Sequence, residues 1–374
     1  MTITACTLTR DESATVAATI RSLVDVADQV LVVDTGSTDD TLDIARANGA
    51  EVQSVLWADD FAAGRNAALA RSRGDWILWV NPDETYLGPS RVELDALMRN
   101  DRVFGYFARI LTHDSEDESS VPGQAWDLRL FRNRPSLAYI GRLHPAFEPA
   151  VVRAISDEGL AVELSKITLR SAGRSEPGPM TEQQARWTLS LIEKELADRP
   201  GQIRYLIEAA RHLRRLGDFR ADAAFAVAAQ ATFTASNADR PPSEKVQYLL
   251  EIVLESQSGQ PLGPLNRGEA IRLTLKWFRD SPPLLWALAG SHHARGEFTE
   301  AAAVLEHLVE LGESGKYDHA RPFAAEIVGD QARMNLAACY ARIGRTGNAR
   351  ELFTSLLSHP KMGADAARNL RVLG

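Results

Sequence analysis

The sequence predicts an α/β domain with a mostly parallel sheet, followed by an all-α domain of helical repeats. Two observations carry this reading. Up to about residue 175, short β-rich runs alternate with amphipathic helical patterns, the order expected of a parallel sheet with right-handed crossovers. Beyond that point the 374-residue chain reads as helix almost throughout. Between the two textures, Ser171 to Pro179 is a charged cluster of Gly, Pro and Ser, the composition of a linker. The domains are accordingly set at 1–172 and 180–374.

In the first domain, Ile3 to Leu8 is the first strand. Glu12 to Leu23 is a helix by the spacing of Val16, Ile20 and Leu23. Gln29 to Asp34 is nearly all apolar, as suits a strand covered on both faces. A Thr35-Gly36-Ser37-Thr38 turn follows, and Thr38 or Asp39 caps a helix from Asp40 to Asn48 that stops at Gly49. Glu51 to Leu56, Phe61 to Ser72 and Asp75 to Val80 supply the next strand, helix and strand. The last runs straight into Asn81-Pro82-Asp83-Glu84, with Trp76 and Trp79 read as core residues. Ligands of such sheets bind beyond the carboxyl ends of the strands. Asp34 and Asp83 lie at two such ends, which are expected to be neighbours.

The second domain carries degenerate repeats. Tyr205 to Leu213 leads to Gly217-Asp218-Phe219 and an Ala-rich helix; Leu284 to Ala289 leads to Gly296-Glu297-Phe298 and Ala301-Ala302-Ala303. Asn335 to Tyr340 leads to Gly344, Ala349 and Phe353, with Pro360 at the end. Helix, turn and helix with small residues at the crossing is the tetratricopeptide pattern. Gly296 and Gly344 lie further apart than one such repeat, so extra helix is expected around Tyr317 to Ile327.

Composition narrows the function classes. The chain is 45% hydrophobic and 25% charged, ordinary for a globular protein, and its net charge of −8 argues against general nucleic-acid binding, which needs a basic surface. Cys6 and Cys339 are too few for a disulfide framework or a Cys-based zinc site. No apolar run reaches the roughly 18 residues that span a bilayer, and the first residues lack the pattern of a secretory signal. The expected location is the cytoplasm.

A carboxylate at the top of a buried parallel strand can accept hydrogen bonds from a nucleobase or ribose. A second acidic group on a neighbouring strand can hold a divalent cation, because hard cations combine a few carboxylates with substrate phosphates. Such a cation neutralises a departing diphosphate as a Lewis acid. A lone strand-end Asp is ordinarily a turn residue, and Asn, Pro and Asp all favour turns.

Five segments make the pattern specific. Val32 to Thr41 reads VVDTGSTDDT, Thr7 to Glu12 reads TLTRDE, and Asp59 to Leu69 reads DDFAAGRNAAL. Gly74 to Glu84 reads GDWILWVNPDE, and Arg129 to Asn133 is followed by Gly141-Arg142-Leu143-His144. In order and spacing these resemble the glycosyltransferase family-two proteins with the GT-A fold, over residues 1 to about 150. A joined tetratricopeptide module is familiar in that subgroup.

The resemblance implies an inverting, metal-dependent hexosyltransferase-like enzyme whose donor is a nucleotide-diphosphate sugar, a UDP-sugar foremost. The acceptor is a protein or peptide presented by the repeat domain, a saccharide or a lipid. Asp34 would receive the base and ribose, with Thr7 and Glu12 nearby. Arg65 and Asn66 would line the nucleotide side, and Arg65 would meet the diphosphate. Asp83 would bind Mn²⁺ or Mg²⁺, Asn81 would contact the sugar or the cation's water shell, and Glu84 could support either. His144 would complete the metal site or touch the diphosphate. The general base would be Asp127 or one of the loop acids Asp114, Glu116, Asp117 and Glu118. The chain departs from the family at Asn81, where an acid is usual, at Asp11 in place of Asn and at Pro145 in place of Glu. A decayed, binding-only scaffold is therefore the alternative. A nucleotidyltransferase is disfavoured because Thr9 to Ala14 has no Gly, and a dinucleotide oxidoreductase because no G-x-G-x-x-G follows a strand.

Overall fold

The computed structural model describes residues 1–112, 123–147, 149–172, 180–256, 262–318 and 323–373. The loop acids Asp114, Glu116, Asp117 and Glu118 and most of the linker lie outside these residues. The chain divides into two compact units, Met1–Asp198 and Arg199–Gly374.

In the first unit, β1 (Ile3–Thr9), α1 (Val16–Arg21), β2 (Gln29–Asp34), α2 (Thr41–Ala47), β3 (Glu51–Ser54), α3 (Phe61–Leu69) and β4 (Trp76–Trp79) come in the expected order. They are followed by β5 (Glu84–Gly88), α4 (Arg91–Met98), β6 (Val103–Thr112), β7 (Gly123–Arg132), β8 (Tyr139–Ile140) and β9 (Ala146–Phe147). The unit ends with α5 (Pro149–Asp157), β10 (Ala161–Ser171) and α6 (Glu182–Asp198). Among the described residues, eight strands form one sheet in the order β3-β2-β1-β4-β7-β6-β10-β5. The first four are parallel. β7 runs antiparallel to β4 and β6, β10 is parallel to β6, and β5 is antiparallel to β10. Because β1 lies between β2 and β4, Asp34 and Asp83 stand at strands that flank a third, not at adjoining strands as expected.

The central strands are buried on both faces, so alternate residues feed two cores. Ile3, Ala5, Val32, Trp76 and Leu78 pack with Val16 and Ile20 of α1 and Leu94 and Met98 of α4. Cys6, Leu31, Val33, Ile77 and Trp79 pack on the other side with Ala62 and Ala68 of α3. Burial pushes the Cys6 thiol up to about 12, against the smaller opposing effect of its contact with Ser72. The carboxylate of Asp60 caps α3 by accepting the Ala63 N–H at 3.0 Å. The N-cap of α2 is Asp40, whose side chain makes no cap bond, not Thr38 or Asp39 as expected. Asp39, one residue earlier, accepts the Thr41 N–H at 3.0 Å, and α2 stops before Gly49, which has positive φ.

The helix α6, grouped with the repeats by the position of the linker, falls within the first unit. Its Lys194 pairs with Asp59, and its Asp198 pairs with Arg142 at 2.7 Å. Its buried Glu195 accepts the backbone N–H of Arg142 at 2.9 Å.

The second unit comprises α7 (Ile203–Arg215), α8 (Ala221–Thr234), α9 (Val246–Glu255), α10 (Arg267–Trp277), α11 (Pro282–Ala294), α12 (Phe298–Ser314), α13 (Asp330–Arg342), α14 (Thr346–Ser355) and α15 (Gly363–Val372). Gly217, Gly296 and Gly344 make the turns after α7, α11 and α13 with positive φ, as the repeat pattern requires. Small residues of the paired helices are buried in one core: Ala210 of α7 and Ala228 and Ala229 of α8, Ala287 of α11 and Ala301 of α12, and Ala337 of α13 and Ala349 of α14. In the long interval before the last pair, the described residues of the expected extra helix form only a 3₁₀ turn, Ala325–Val328, after a long α12. Among the described residues no helix is long and apolar enough to cross a membrane.

Gly74 sets the spacing of the two strands that carry the site. Its N–H donates to the Thr4 hydroxyl at 2.8 Å, and a Cβ here would fall 2.4 Å from the Thr4 nitrogen and 2.9 Å from the Trp76 carbonyl oxygen. Neither backbone atom can move without parting β1 from β4. Gly74→Ala should therefore cost about 1–3 kcal/mol in urea-induced unfolding, the usual range for overpacking. An unchanged midpoint would show that the strands part freely.

Candidate functional site

A cavity of about 430 Å³ opens at the carboxyl ends of the parallel strands. Leu8, Thr9, Arg10 and Glu12 line it from β1 and its loop, Thr35 from the end of β2, and Trp57 from the loop after β3. Phe61 and Arg65 enter from α3, Trp79, Asn81, Pro82 and Asp83 from β4 and its turn, and Leu143, Pro145 and Trp187 complete the wall.

The turn after β4 is built on a buried ion pair. Glu84 and Arg129 are both nearly inaccessible, and the two guanidinium Nη atoms donate to the two carboxylate oxygens at 2.9 Å each. The same carboxylate accepts the Asn81 backbone N–H at 2.8 Å and the Asn81 side-chain N–H at 3.0 Å. Nη1 of Arg129 also donates to the Trp79 carbonyl at 3.3 Å. An ionised Glu84 only accepts, so the nitrogen of the Asn81 amide must face it. The Asn81 Oδ1 is left with no hydrogen bond among the described residues. This gives the amide at position 81 a structural meaning: a carboxylate there has no hydrogen to offer Glu84 and would bring a second negative charge against it.

Asp83 projects from this turn. Its Oδ2 accepts the Ser171 hydroxyl at 2.9 Å and its carbonyl accepts the Ala172 N–H at 2.7 Å, while Oδ1 has no hydrogen bond among the described residues. Across the cavity floor, the Arg65 guanidinium lies 4.4 Å from the Trp79 ring centre and 5.1 Å from that of Tyr139, a cation–π geometry. Burial lowers the Arg65 pKa, opposed by the charges of Tyr139 and Asp127. Burial also pushes the Tyr139 phenol up to about 12, with Arg65 opposing. The cavity thus holds a partly desolvated cation on one side and a carboxylate on the other.

The expected site residues divide. Glu12, Arg65, Asn81 and Asp83 meet at the cavity. Asp34 does not line it. Its buried carboxylate closes its own turn, accepting from the N–H groups of Gly36 and Ser37 at 2.9 and 3.0 Å, from the Thr9 hydroxyl at 3.3 Å and from the Ser37 hydroxyl. Thr35 takes the wall position instead, its hydroxyl donating to the Thr9 carbonyl at 3.1 Å. Thr7 is buried within β1, below the cavity-lining Leu8 and Thr9 along the strand, its hydroxyl without a hydrogen-bond partner. Asn66 is a bracket: its Nδ2 donates to the Tyr139 carbonyl at 3.0 Å and its Oδ1 accepts the Tyr139 N–H at 2.8 Å. His144 is half-buried between two wall residues without lining the cavity itself. Among the described residues no three His, Cys, Asp or Glu side chains converge as metal ligands, so Asp83 and His144 do not form part of a protein-built cage. Asp127 is 56% exposed on β7, outside the cavity lining, with Oδ2 2.9 Å from the Arg129 Nε. That contact is a charge pairing, not an aligned hydrogen bond, since Nε has no hydrogen-bond partner by geometry.

Sequence reasoning missed Thr35, Trp57, Phe61, Trp187 and the pairing of Glu84 with Arg129. Phe61 and Arg129 stand inside the segments already singled out, but nothing local marks Trp187 or the partner of a buried Arg.

Removing one member of a buried pair leaves the other charge uncompensated, at a cost of about 3–5 kcal/mol. Arg129→Met should lose that much stability in chemical denaturation, and adding Glu84→Gln should restore a measurable part. A double variant no more stable than the single one would mean that the pair is not what holds the turn.

The family model for glycosyl transferase family 2 matches residues 4–140. A TPR repeat-containing protein of Synechococcus elongatus is 31% identical over 150 residues, 40% of this chain and 36% of that protein. An uncharacterized glycosyltransferase of Rickettsia prowazekii is 32% identical over 107 residues, 28% of this chain and 36% of that protein. The chain therefore spans little more than a third of the length of these curated relatives. Among solved structures, glucosyl-3-phosphoglycerate synthase from Mycobacterium tuberculosis aligns at 20% identity and a TM-score of 0.37, over 54% of this chain and 80% of that one. On the family match and the α/β architecture around it, the chain carries a glycosyl transferase family 2 domain, followed by a tetratricopeptide-like helical region.

Proposed function

We propose that the first unit binds a nucleotide-diphosphate sugar, a UDP-sugar foremost, in this cavity and transfers the sugar to an acceptor with inversion. The observation that carries the reading is the placement of Arg65 and Asp83 in one cavity at the strand ends of a family 2 domain. A guanidinium held against two aromatic faces is a rigid fork for phosphate oxygens.

The donor set bears on the divalent cation. Asp83 offers one carboxylate oxygen not otherwise hydrogen-bonded and Asn81 one amide oxygen. That is too little to hold an ion alone. It suits Mn²⁺ or Mg²⁺ that draws the rest of its shell from a diphosphate and water. When bound, the cation supplies Lewis-acid stabilisation of the leaving diphosphate. Asp83 and Asn81 would hold it, with the Glu84–Arg129 pair keeping their turn in place. Asp127, exposed beside Arg129 and electrostatically felt at Arg65, is the proposed base for the acceptor hydroxyl. A helical array suits a protein or peptide acceptor; a saccharide or lipid would bypass it.

One observation favours a binding-only alternative: the Asn81 amide is committed to Glu84. The two readings separate on whether bound donor is consumed.

Titration calorimetry of the full chain with UDP, GDP and dTDP, with and without Mn²⁺, tests the site. UDP should bind, at least tenfold tighter with Mn²⁺, and Asp83→Ala should abolish that increment while leaving the metal-free affinity. Failure of every nucleotide diphosphate to bind would overturn the proposal.

A further inference from the structure

The wall opposite Asp83 is aromatic and is completed by a helix outside the residues that match the family. Phe61 packs edge-on against Trp57, with ring centres 4.9 Å apart and planes at 72°. Trp187 of α6 packs edge-on against Phe61 at 6.3 Å and 82°. All three line the cavity, and Trp187 keeps 43% of its surface exposed. Its position is fixed by pairings along the helix: Lys194 to Asp59, Glu195 to the Arg142 N–H, and Asp198 to Arg142. The Lys194 ammonium holds the Asp59 carboxyl below the usual range, against partial burial. Arg142 in turn accepts the Phe61 N–H at 2.8 Å through its carbonyl, so the helix and the aromatic wall share one anchor.

Strand order says what this wall would meet. Across the sheet, Trp57 follows β3, Thr35 follows β2, Thr9 and Arg10 lie at the end of β1, and Asp83 follows β4. Three strand spacings separate the two ends, about 14 Å. If the diphosphate lies at Arg65 and Asp83, the nucleoside runs toward β2 and β3 and the transferred sugar runs away from them. The group that reaches the aromatic end is then flat and conjugated. Aromatic faces bind such rings by stacking, largely without regard to which base it is.

Resting on the donor reading above, we propose that Trp187, brought by α6, is the stacking platform for the donor's nucleobase, and that α6 is therefore an integral part of the nucleotide site. The wall selects for the presence of a base, and Thr35 with the β1 loop stands where the base edge would be read.

Calorimetric titration of UDP with Mn²⁺ into native protein, Trp187→Ala and Trp187→Phe tests this. Loss of one stacked ring should weaken UDP about tenfold in Trp187→Ala. Trp187→Phe should stay within about threefold of native, since a smaller aromatic face still stacks. Native-like affinity in Trp187→Ala would overturn the proposal, as would equal losses in both variants, which would point to helix packing instead of stacking. Absence of UDP binding in the native protein would instead overturn the donor reading on which this one rests.

Discussion

The buried pairing of Arg129 with Glu84 is the interaction on which the site depends. Taking two charges out of water is costly, and the cost is offset only when geometry is good and the remaining lone pairs are filled. Here both conditions hold: two parallel 2.9 Å bonds join the groups, and Asn81 fills the remaining capacity of the carboxylate through two N–H donors. The consequence is positional. Arg129 belongs to β7, and its further bond to the Trp79 carbonyl ties that strand to the end of β4. The turn that presents Asp83 is thus set by a side chain from the antiparallel part of the sheet, while Thr19 of α1 secures the same turn by donating to the Pro82 carbonyl at 2.8 Å.

Around that anchor, the cavity divides by chemistry. Acidic and amide oxygens stand at the β4 end, a guanidinium lies on aromatic faces in the middle, and aromatic rings close the β3 end. The parallel strands make this possible because their carboxyl ends converge on one rim. Two supports come from outside the core strands: Asn66 clasps Tyr139 and so the ring beneath Arg65, and Arg142 ties α6 to the start of α3.

Much of the fold was legible because it is written locally. Continuous apolar runs such as Gln29 to Asp34 and Asp75 to Val80 mark strands buried on both faces. Gly217, Gly296 and Gly344 mark helix turns because each adopts a positive φ there. The site was only partly legible, and the misses share a cause. Asp34 ends its strand as expected, but its oxygens are taken by Gly36, Ser37 and Thr9, a local competition that a motif does not reveal. The insertion of β1 between β2 and β4 is a property of strand order, which no single segment encodes. Glu84 and Arg129 are 45 residues apart, and Trp187 lies beyond the linker, so neither contact leaves a sequence spacing to detect. Asn81 looked like a lost ligand; its place beside Glu84 shows that an amide there also does structural work.

The central claim is that the Asn81–Glu84 turn positions Asp83 for a cation shared with a nucleotide diphosphate. Anomalous scattering at the manganese edge, from crystals of the full chain grown with UDP and Mn²⁺, tests it most directly. The expected result is one manganese peak within coordination distance of the Asp83 carboxylate, with diphosphate oxygens on the same ion and Arg65 against the phosphate. A manganese peak away from Asp83, or UDP ordered outside this cavity, would contradict it.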